Sequence, residues 1–268
     1  MLVRWSLFST LAILLFASQA FSQAIPVPDF NFLNPSAGTV GFATVPSSSA
    51  GLGSWQVPPP TPGFLFYEET AGSQTAAQAT ANWYNQTGVF WNNPSFHYIT
   101  NISSGSQAAF MFDTPGLQLS QTLSSTFQVG QSYQLTMALG GGGQGVAMPL
   151  GDPIQIGLFY MSGGSQTLVG STTVLNDNSD WNGSYINQLS DYSLTIPAVG
   201  ASDPWAGQNI GVALIESNSA YGSGSYWDVD NVRLAAVPEP GSIALISATG
   251  LSLFMMRRQL FAKRAATA

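Results

Sequence analysis

The chain has 268 residues, of which 7% are charged, and it contains no cysteine; an ordinary soluble domain carries about 25% charged residues. Residues 25–236 hold one arginine, no lysine and twelve acidic residues, which argues against nucleic-acid binding because phosphate contacts require lysine and arginine. The lack of cysteine excludes thiol catalysis, disulfide bonds and cysteine-ligated zinc.

Residues 1–24 predict a secretory signal peptide. Arg4 supplies a positive start, and residues 7–16 supply a short apolar stretch. Small residues two positions apart mark cleavage sites after Ala20 and after Ala24, of which we favour the second. The alternative is a membrane-anchoring helix, but the apolar stretch is short for a span of about 20 residues.

Residues 25–236 predict one all-β domain with a β-sandwich or jelly-roll architecture. Short segments alternate between apolar and polar residues, and Gly, Asn, Asp or Pro separate them. An alanine-rich segment, 75–83, could form one short helix. The predicted strands are 64–67, 96–102, 108–112, 117–122, 132–139, 154–160, 167–174, 192–196, 210–215 and 226–234.

Aromatic residues flank turn-like sequence at Trp83, Tyr84 and Trp91. On loops they could stack on the faces of sugars, and in a sandwich they could equally belong to the core. No catalytic residue is predicted. The one histidine, His97, lies in strand-like sequence without a nucleophile motif, and the adjacent Glu68 and Glu69 would point to opposite faces of a strand.

Two acidic segments need an explanation. Residues 178–183 begin with the spacing of a calcium-binding EF-hand loop, but Leu189 stands where the bidentate glutamate belongs, so a turn is predicted. The expected alternation fails across Asp228 and Asp230, which predicts a β-bulge that aims one carboxylate inward.

Residues 237–264 predict a sorting signal with three parts. Pro238, Glu239 and Pro240 form an extended motif, an apolar helix is predicted over 243–256, and the basic residues Arg257 and Arg258 follow. Fourteen apolar residues make a marginal transmembrane helix. The basic cluster orients it with the carboxy terminus in the cytoplasm.

This tail resembles the PEP-CTERM sorting signal of exported proteins in exopolysaccharide-producing Gram-negative bacteria. The resemblance implies recognition by an exosortase and removal of the tail near Pro238–Pro240. It therefore implies transient anchoring in the inner membrane, followed by release to the cell surface or the extracellular matrix.

The domain itself resembles carbohydrate-binding-module-like, galactose-binding-type jelly rolls. The resemblance rests on Phe32 and Pro35 near the start, on the 118–139 segment, and on the closing strand 227–234. It implies a structural calcium with Asp230 as a ligand. Asp29 could compensate for Leu33, which stands where the family carries an acid.

These observations predict an exported, exosortase-processed protein without enzymatic activity. Its role would be glycan binding, or a structural one in exopolysaccharide or biofilm. Two alternatives stay open at this point, a glycan-active hydrolase or lyase on the same sandwich and a cohesive coat protein without a ligand.

Overall fold

A computed structural model describes the following residues of the chain: 22–33, 42–44, 51–52, 54–57, 87–92, 98–103, 106–112, 116–142, 148–180, 183, 186–216 and 226–237. Within these ranges no helix has the length and apolar character needed to cross a membrane. The predicted helices of the signal peptide and of 243–256 lie outside them, as do the predicted helix 75–83 and the predicted strand 64–67.

The described residues form β-strands joined by turns. In chain order the strands are β1 (Gln23–Ile25), β2 (Phe42–Thr44), β3 (Gly51–Leu52), β4 (Trp55–Gln56), β5 (Thr87–Trp91), β6 (Gln107–Phe112), β7 (Gln118–Thr126), β8 (Ser132–Gly142), β9 (Pro153–Ser162), β10 (Ser165–Leu175), β11 (Ser190–Ile196), β12 (Asn209–Glu216) and β13 (Tyr226–Val237).

These strands form two antiparallel sheets. The seven-stranded sheet has the order β11-β8-β13-β6-β5-β2, with β1 paired to the end of β13. The six-stranded sheet has the order β10-β9-β12-β7-β4-β3. Two pairs of neighbours, β3 with β4 and β9 with β10, are consecutive hairpins, whereas most other pairings join distant parts of the chain.

One hydrophobic core lies between the two sheets, which confirms the predicted all-β sandwich. The long strands β7, β8, β9, β12 and β13 contribute alternate residues over much of their length, because successive side chains of a strand point to opposite faces. Burying one such aliphatic side chain stabilises the fold by about 1.5–3 kcal/mol. Central members of the core are Leu119, Leu135, Met137, Leu139, Ile154, Ile156, Leu158, Val212, Leu214, Trp227 and Val229.

The predicted strand 96–102 is wrong in its described part. Residues 98–103 form a turn that lies outside both sheets. Asn92 holds it, since its side-chain Oδ1 accepts from the Ile99 N–H at 2.7 Å and its Nδ2 donates to the Ile99 carbonyl at 2.9 Å. A side chain thus replaces the neighbouring strand as the hydrogen-bonding partner of this backbone.

The predicted bulge exists, but it lies further along β13 and has a different effect. The register with β8 shifts between Asp230 and Arg233, and Asn231 has a φ of 51°. Before the bulge the strand alternates regularly, so Asp228 and Asp230 share one face and both point away from the sandwich core. Because the bulge inserts one extra residue, the next core residue after Val229 is Val232, three positions later and not two.

The acidic segment at 178–183 is a turn in its described part, as predicted. The Asp177 carboxylate accepts from the Ser179 N–H at 2.9 Å, and Asn178 has a φ of 57°. Leu189 is buried in an apolar cluster. Asp180 is also buried, and this burial raises the pKa of its carboxyl group despite a hydrogen bond from the Ser190 hydroxyl.

Candidate active site

Part of the outer face of the seven-stranded sheet is covered by loop segments and carries a second apolar cluster. Its members come from four strands or their flanks and from two covering segments, 99–103 and 186–189. Two aspartates lie on the same face of β13. The apolar members are Phe90, Ile99, Ile102, Ala108, Phe110, Ala138, Ile186, Leu189 and Tyr226.

Asp228 is fully buried on this face, with a relative exposure of 0%. Its register partners are Phe110 on β6 and Gly140 on β8. Two register pairs away, and so on the same face, Tyr226 lies opposite Phe112. The carboxyl group therefore stands beside the aromatic side chains of Phe110, Phe112 and Tyr226.

Three rings pack against each other beside Asp228. The ring centroids lie 5.8 Å apart for Phe110 and Phe112, 6.1 Å for Phe110 and Tyr226, and 5.5 Å for Phe112 and Tyr226. Aromatic rings prefer such edge-to-face and tilted contacts. The same geometry would suit a planar aromatic ligand.

Asp230 has different surroundings, although it is equally buried. Its Oδ2 accepts from the Ser103 N–H at 2.6 Å, and its Oδ1 accepts from the Ser103 hydroxyl at 3.1 Å. Burial raises the pKa of the Asp230 carboxyl group, and these hydrogen bonds lower it by a smaller amount. Asp230 therefore holds a covering segment.

The second covering segment lies directly over the strand beside Asp228. A Cβ atom on Gly140 would stand 2.8 Å from Ile186 Cγ2 and 3.1 Å from Leu189 Cδ2. The missing side chain of this glycine lets the segment approach the sheet. Together the covering segments form what we call the roof, residues 99–103 and 186–189.

Charge on this face lies beyond the bulge. Arg233 Nη2 contacts Asp191 Oδ1 at 2.5 Å, and both side chains are about half exposed. The face thus runs from aromatic rings through two buried carboxyl groups to an exposed ion pair.

The residues predicted as site residues are not brought together here. Asp29 lies in the turn 28–31 with a φ of 51°, and its carbonyl accepts from Trp55 Nε1 at 3.2 Å. Trp91 lies in strand β5 rather than in a loop. Trp83 and Tyr84 lie outside the described residues, as does the sorting motif Pro238, Glu239, Pro240, Arg257 and Arg258.

The described ranges contain no group of three or more His, Asp or Glu side chains that could hold a metal ion. Both carboxylate oxygens of Asp230 accept hydrogen bonds from Ser103, so in this structure Asp230 holds the roof segment 99–103. A calcium ion at Asp29 and Asp230 stays a prediction of the sequence.

Sequence reasoning did not identify Asp228 as a functional residue. A signal was present, since two acids at positions i and i+2 of an otherwise apolar strand must share one face. The residues of β13 themselves do not indicate that the roof covers this face of the strand. The chemical capacity of the site is that of a carboxyl group, a proton donor or acceptor, next to aromatic rings and away from water.

Solved structures resemble this chain in fold. A cyclase from Fischerella sp. TAU is 22% identical, with a TM-score of 0.57 over 81% of this chain and 98% of that one. The Stig cyclase Fisc from the same organism, in complex with (3Z)-3-(1-methyl-2-pyrrolidinylidene)-3H-indole, is 20% identical, with a TM-score of 0.56 over 81% of this chain and 99% of that one. These likenesses establish the fold alone.

A carbohydrate-binding module described under "CBM4 structure and function" also matches, at 11% identity and a TM-score of 0.34 over 56% of this chain and 86% of that one. The predicted likeness to carbohydrate-binding modules is supported to that extent, and a TM-score this low carries no functional argument. No individual curated protein matches the sequence significantly.

The HpiC1-like family, described as HpiC1 cyclase, matches residues 25–235. This match overturns the predicted function, an exosortase-processed glycan-binding or structural protein of exopolysaccharide and biofilm. It also overturns the prediction that the protein is not an enzyme, because the family is one of cyclases, and the glycan-active alternative receives no support from it. Since the match spans well over half of its length, the chain belongs to the HpiC1-like cyclase family.

Proposed function

We propose that this protein is a cyclase that closes a ring within an apolar, unsaturated substrate, with Asp228 as the proton donor. The observation that carries the proposal is the burial of the Asp228 carboxyl group beside the rings of Phe110, Phe112 and Tyr226. Membership of a cyclase family supports it independently.

Ring closure of this kind requires an acid in a dry setting. Protonation of an unsaturated carbon gives a carbocation, which water would capture before a ring could form. Burial in an apolar site excludes water and disfavours the charged form of a carboxyl group in general. A neutral carboxyl group in such a site can act as a general acid, as in other enzymes that bury their acid.

The step balances without a cofactor. Asp228 gives its proton to one carbon of a substrate double bond, and the cation that results is attacked by a second π bond of the same molecule. This attack forms the new carbon–carbon bond of the ring. Loss of a proton from the cyclised cation to the Asp228 carboxylate restores the acid, so the product is an isomer of the substrate.

The aromatic rings indicate the class of substrate. Faces of Phe and Tyr rings attract both aromatic groups and cations, so the cluster can bind a planar ring and stabilise a carbocation beside it. The related Fisc structure contains a 3-substituted 3H-indole. We therefore propose an indole that carries an unsaturated side chain as the substrate class.

Asp228→Asn tests this proposal. The amide keeps the shape of the side chain but has no acidic proton, so we expect kcat to fall by about 10²–10⁴-fold. The assay incubates 3-substituted indoles that bear an alkenyl chain with the protein and follows isomeric products by liquid chromatography and mass spectrometry.

Asp191→Asn is the matched control, because it removes an exposed carboxylate from the same face of the sheet. It should leave turnover unchanged. An Asp228→Asn variant that is folded and turns over substrate at the wild-type rate would refute the role of Asp228. Lack of any isomerisation by the wild-type protein would refute the substrate class.

A further inference from the structure

Access to Asp228 presents a physical problem. The residue has a relative exposure of 0%, so no substrate can contact its carboxyl group in the structure as it stands. Part of the chain must move away before the proposed reaction can occur. In the described part of the chain, segment 186–189 of the roof lies over Gly140, the residue opposite Asp228 on the neighbouring strand β8.

The two segments of the roof are joined along a seam. The Asn101 side chain accepts from the Leu189 N–H at 2.8 Å and donates to the Leu189 carbonyl at 2.7 Å. The N–H and the hydroxyl of Thr100 both donate to the Asn187 carbonyl, at 2.9 and 3.0 Å. The segments will therefore move together rather than one by one.

The described contacts of the roof with the sheet are of two kinds. Ile186 and Leu189 make apolar contacts over Gly140, which are non-directional. Two directional contacts accompany them: both oxygens of Asp230 bind Ser103 at one end of segment 99–103, and the Asn92 side chain binds the backbone of Ile99 at the other end. Hydrogen bonds to a charged acceptor are stronger than neutral ones.

We propose that the contact between Asp230 and Ser103 is a latch that holds the roof closed over Asp228, and that substrate enters when it opens. Asp230 is then a positioning residue of the reaction and not a catalytic one. The inference rests on the proposed function for its purpose, but the latch itself can be tested without substrate.

The first test is amide hydrogen exchange in the full chain. Asp230→Ala removes both acceptors, so the Ser103 amide should exchange at least about tenfold faster than in the wild type, while the Thr100 and Leu189 amides keep their bonds across the seam. Amides in the core strands β8 and β12 should change less. Equal acceleration in roof and core, or no change in the roof, would overturn the latch.

Asp230→Asn provides the conservative rescue. Its side-chain oxygen can accept from the Ser103 N–H, and its amide can donate to the Ser103 hydroxyl, so exchange should return close to the wild-type rate. Asp191→Ala, on the same face, should leave the roof amides unchanged. Failure of Asp230→Asn to slow exchange relative to Asp230→Ala would contradict a hydrogen-bonded latch.

Asn101→Ala covers the case in which Asp230→Ala does not fold. It removes both side-chain bonds across the seam, so the Leu189 amide should exchange faster while the Ser103 amide stays protected by Asp230. Acceleration at neither amide would contradict a roof held by these contacts.

The second test uses (3Z)-3-(1-methyl-2-pyrrolidinylidene)-3H-indole as a probe and measures its association rate by stopped-flow tryptophan fluorescence. If the open state limits entry, Asp230→Ala should raise the association rate by about the same factor as the exchange rate. An unchanged rate, with binding intact, would refute gating by the latch. A probe that does not bind the wild type, combined with the expected exchange pattern, would refute the proposed substrate class and leave the latch standing.

Discussion

Asp228 and Asp230 stand two residues apart on one face of β13, yet the fold uses them differently. Asp230 is engaged by Ser103 through both oxygens, and Asp228 stands beside the rings of Phe110 and Tyr226. The segment opposite each residue makes the difference, because Ser103 reaches one and the aromatic pair lies next to the other. A carboxyl group acquires its role from such neighbours.

The titration of Asp230 gives a prediction at this scale. Its pKa in the folded protein is raised above the ordinary value of 3.8, first by burial. The folded state then binds this proton more tightly than the unfolded state, so the contribution of Asp230 to the free energy of unfolding should fall as pH rises from 3.8 through the raised value.

Urea unfolding of the wild type and of Asp230→Asn at a series of pH values measures this effect. The difference in unfolding free energy, wild type minus variant, should decline with rising pH across that window and level off above it. A difference that grows with pH would mean that hydrogen bonding, and not burial, dominates at Asp230.

At the scale of the elements, the packing between two neighbouring strands of the six-stranded sheet requires a glycine at one position. Gly211 on β12 lies opposite Phe159 on β9. A Cβ atom at Gly211 would stand 2.3–2.5 Å from three atoms of the Phe159 ring. The ring therefore occupies the space that any other residue at position 211 would need.

Gly211→Ala should destabilise the protein by about 1–3 kcal/mol, the usual cost of overpacking a buried contact. Gly157→Ala is the matched control in the adjacent strand, because its Cβ would meet the movable end of the Leu168 side chain at 3.0 Å. Urea midpoints measure both. Equal losses in the two variants would show that the Phe159 contact is not special.

The elements that could be predicted from the sequence are those with a regular period of two. Strands β8 and β9 alternate clearly and were predicted nearly at their bounds. Strand β5 was missed, and 98–102, the described part of the predicted strand 96–102, is not a strand. The backbone of 98–103 is hydrogen-bonded by Asn92 and by the other roof segment, and not by a neighbouring strand. Partners that are distant in the sequence leave no pattern in the residues of the segment itself.

At the scale of the whole molecule, the start of the domain bears on the processing of the chain. Gln23 and Ala24 pair with Ala236 and Ala235, as part of β1 on the end of β13. Cleavage after Ala24 would remove two of the three residue pairs in this contact. The register therefore favours cleavage after Ala20, the other predicted site.

We expect the mature protein to begin at Phe21. Intact-mass measurement of the protein exported by a Gram-negative host decides the point. A start at Ile25 would show that β1 is dispensable, and an uncleaved Met1 would contradict the signal peptide. The tail at 237–264 stays a prediction of the sequence.

By itself the sequence determined the class of fold, because alternate apolar residues can be buried only in a layered β structure. It also excluded thiol chemistry, because the chain has no cysteine. The tertiary structure alone decided where chemistry can occur. Asp228 is a buried acid in the folded chain, where strands β6, β8 and β13 meet in one sheet and segments 99–103 and 186–189 pack on its outer face. Burial is a property of such long-range contacts, and a strand's own residues do not encode it.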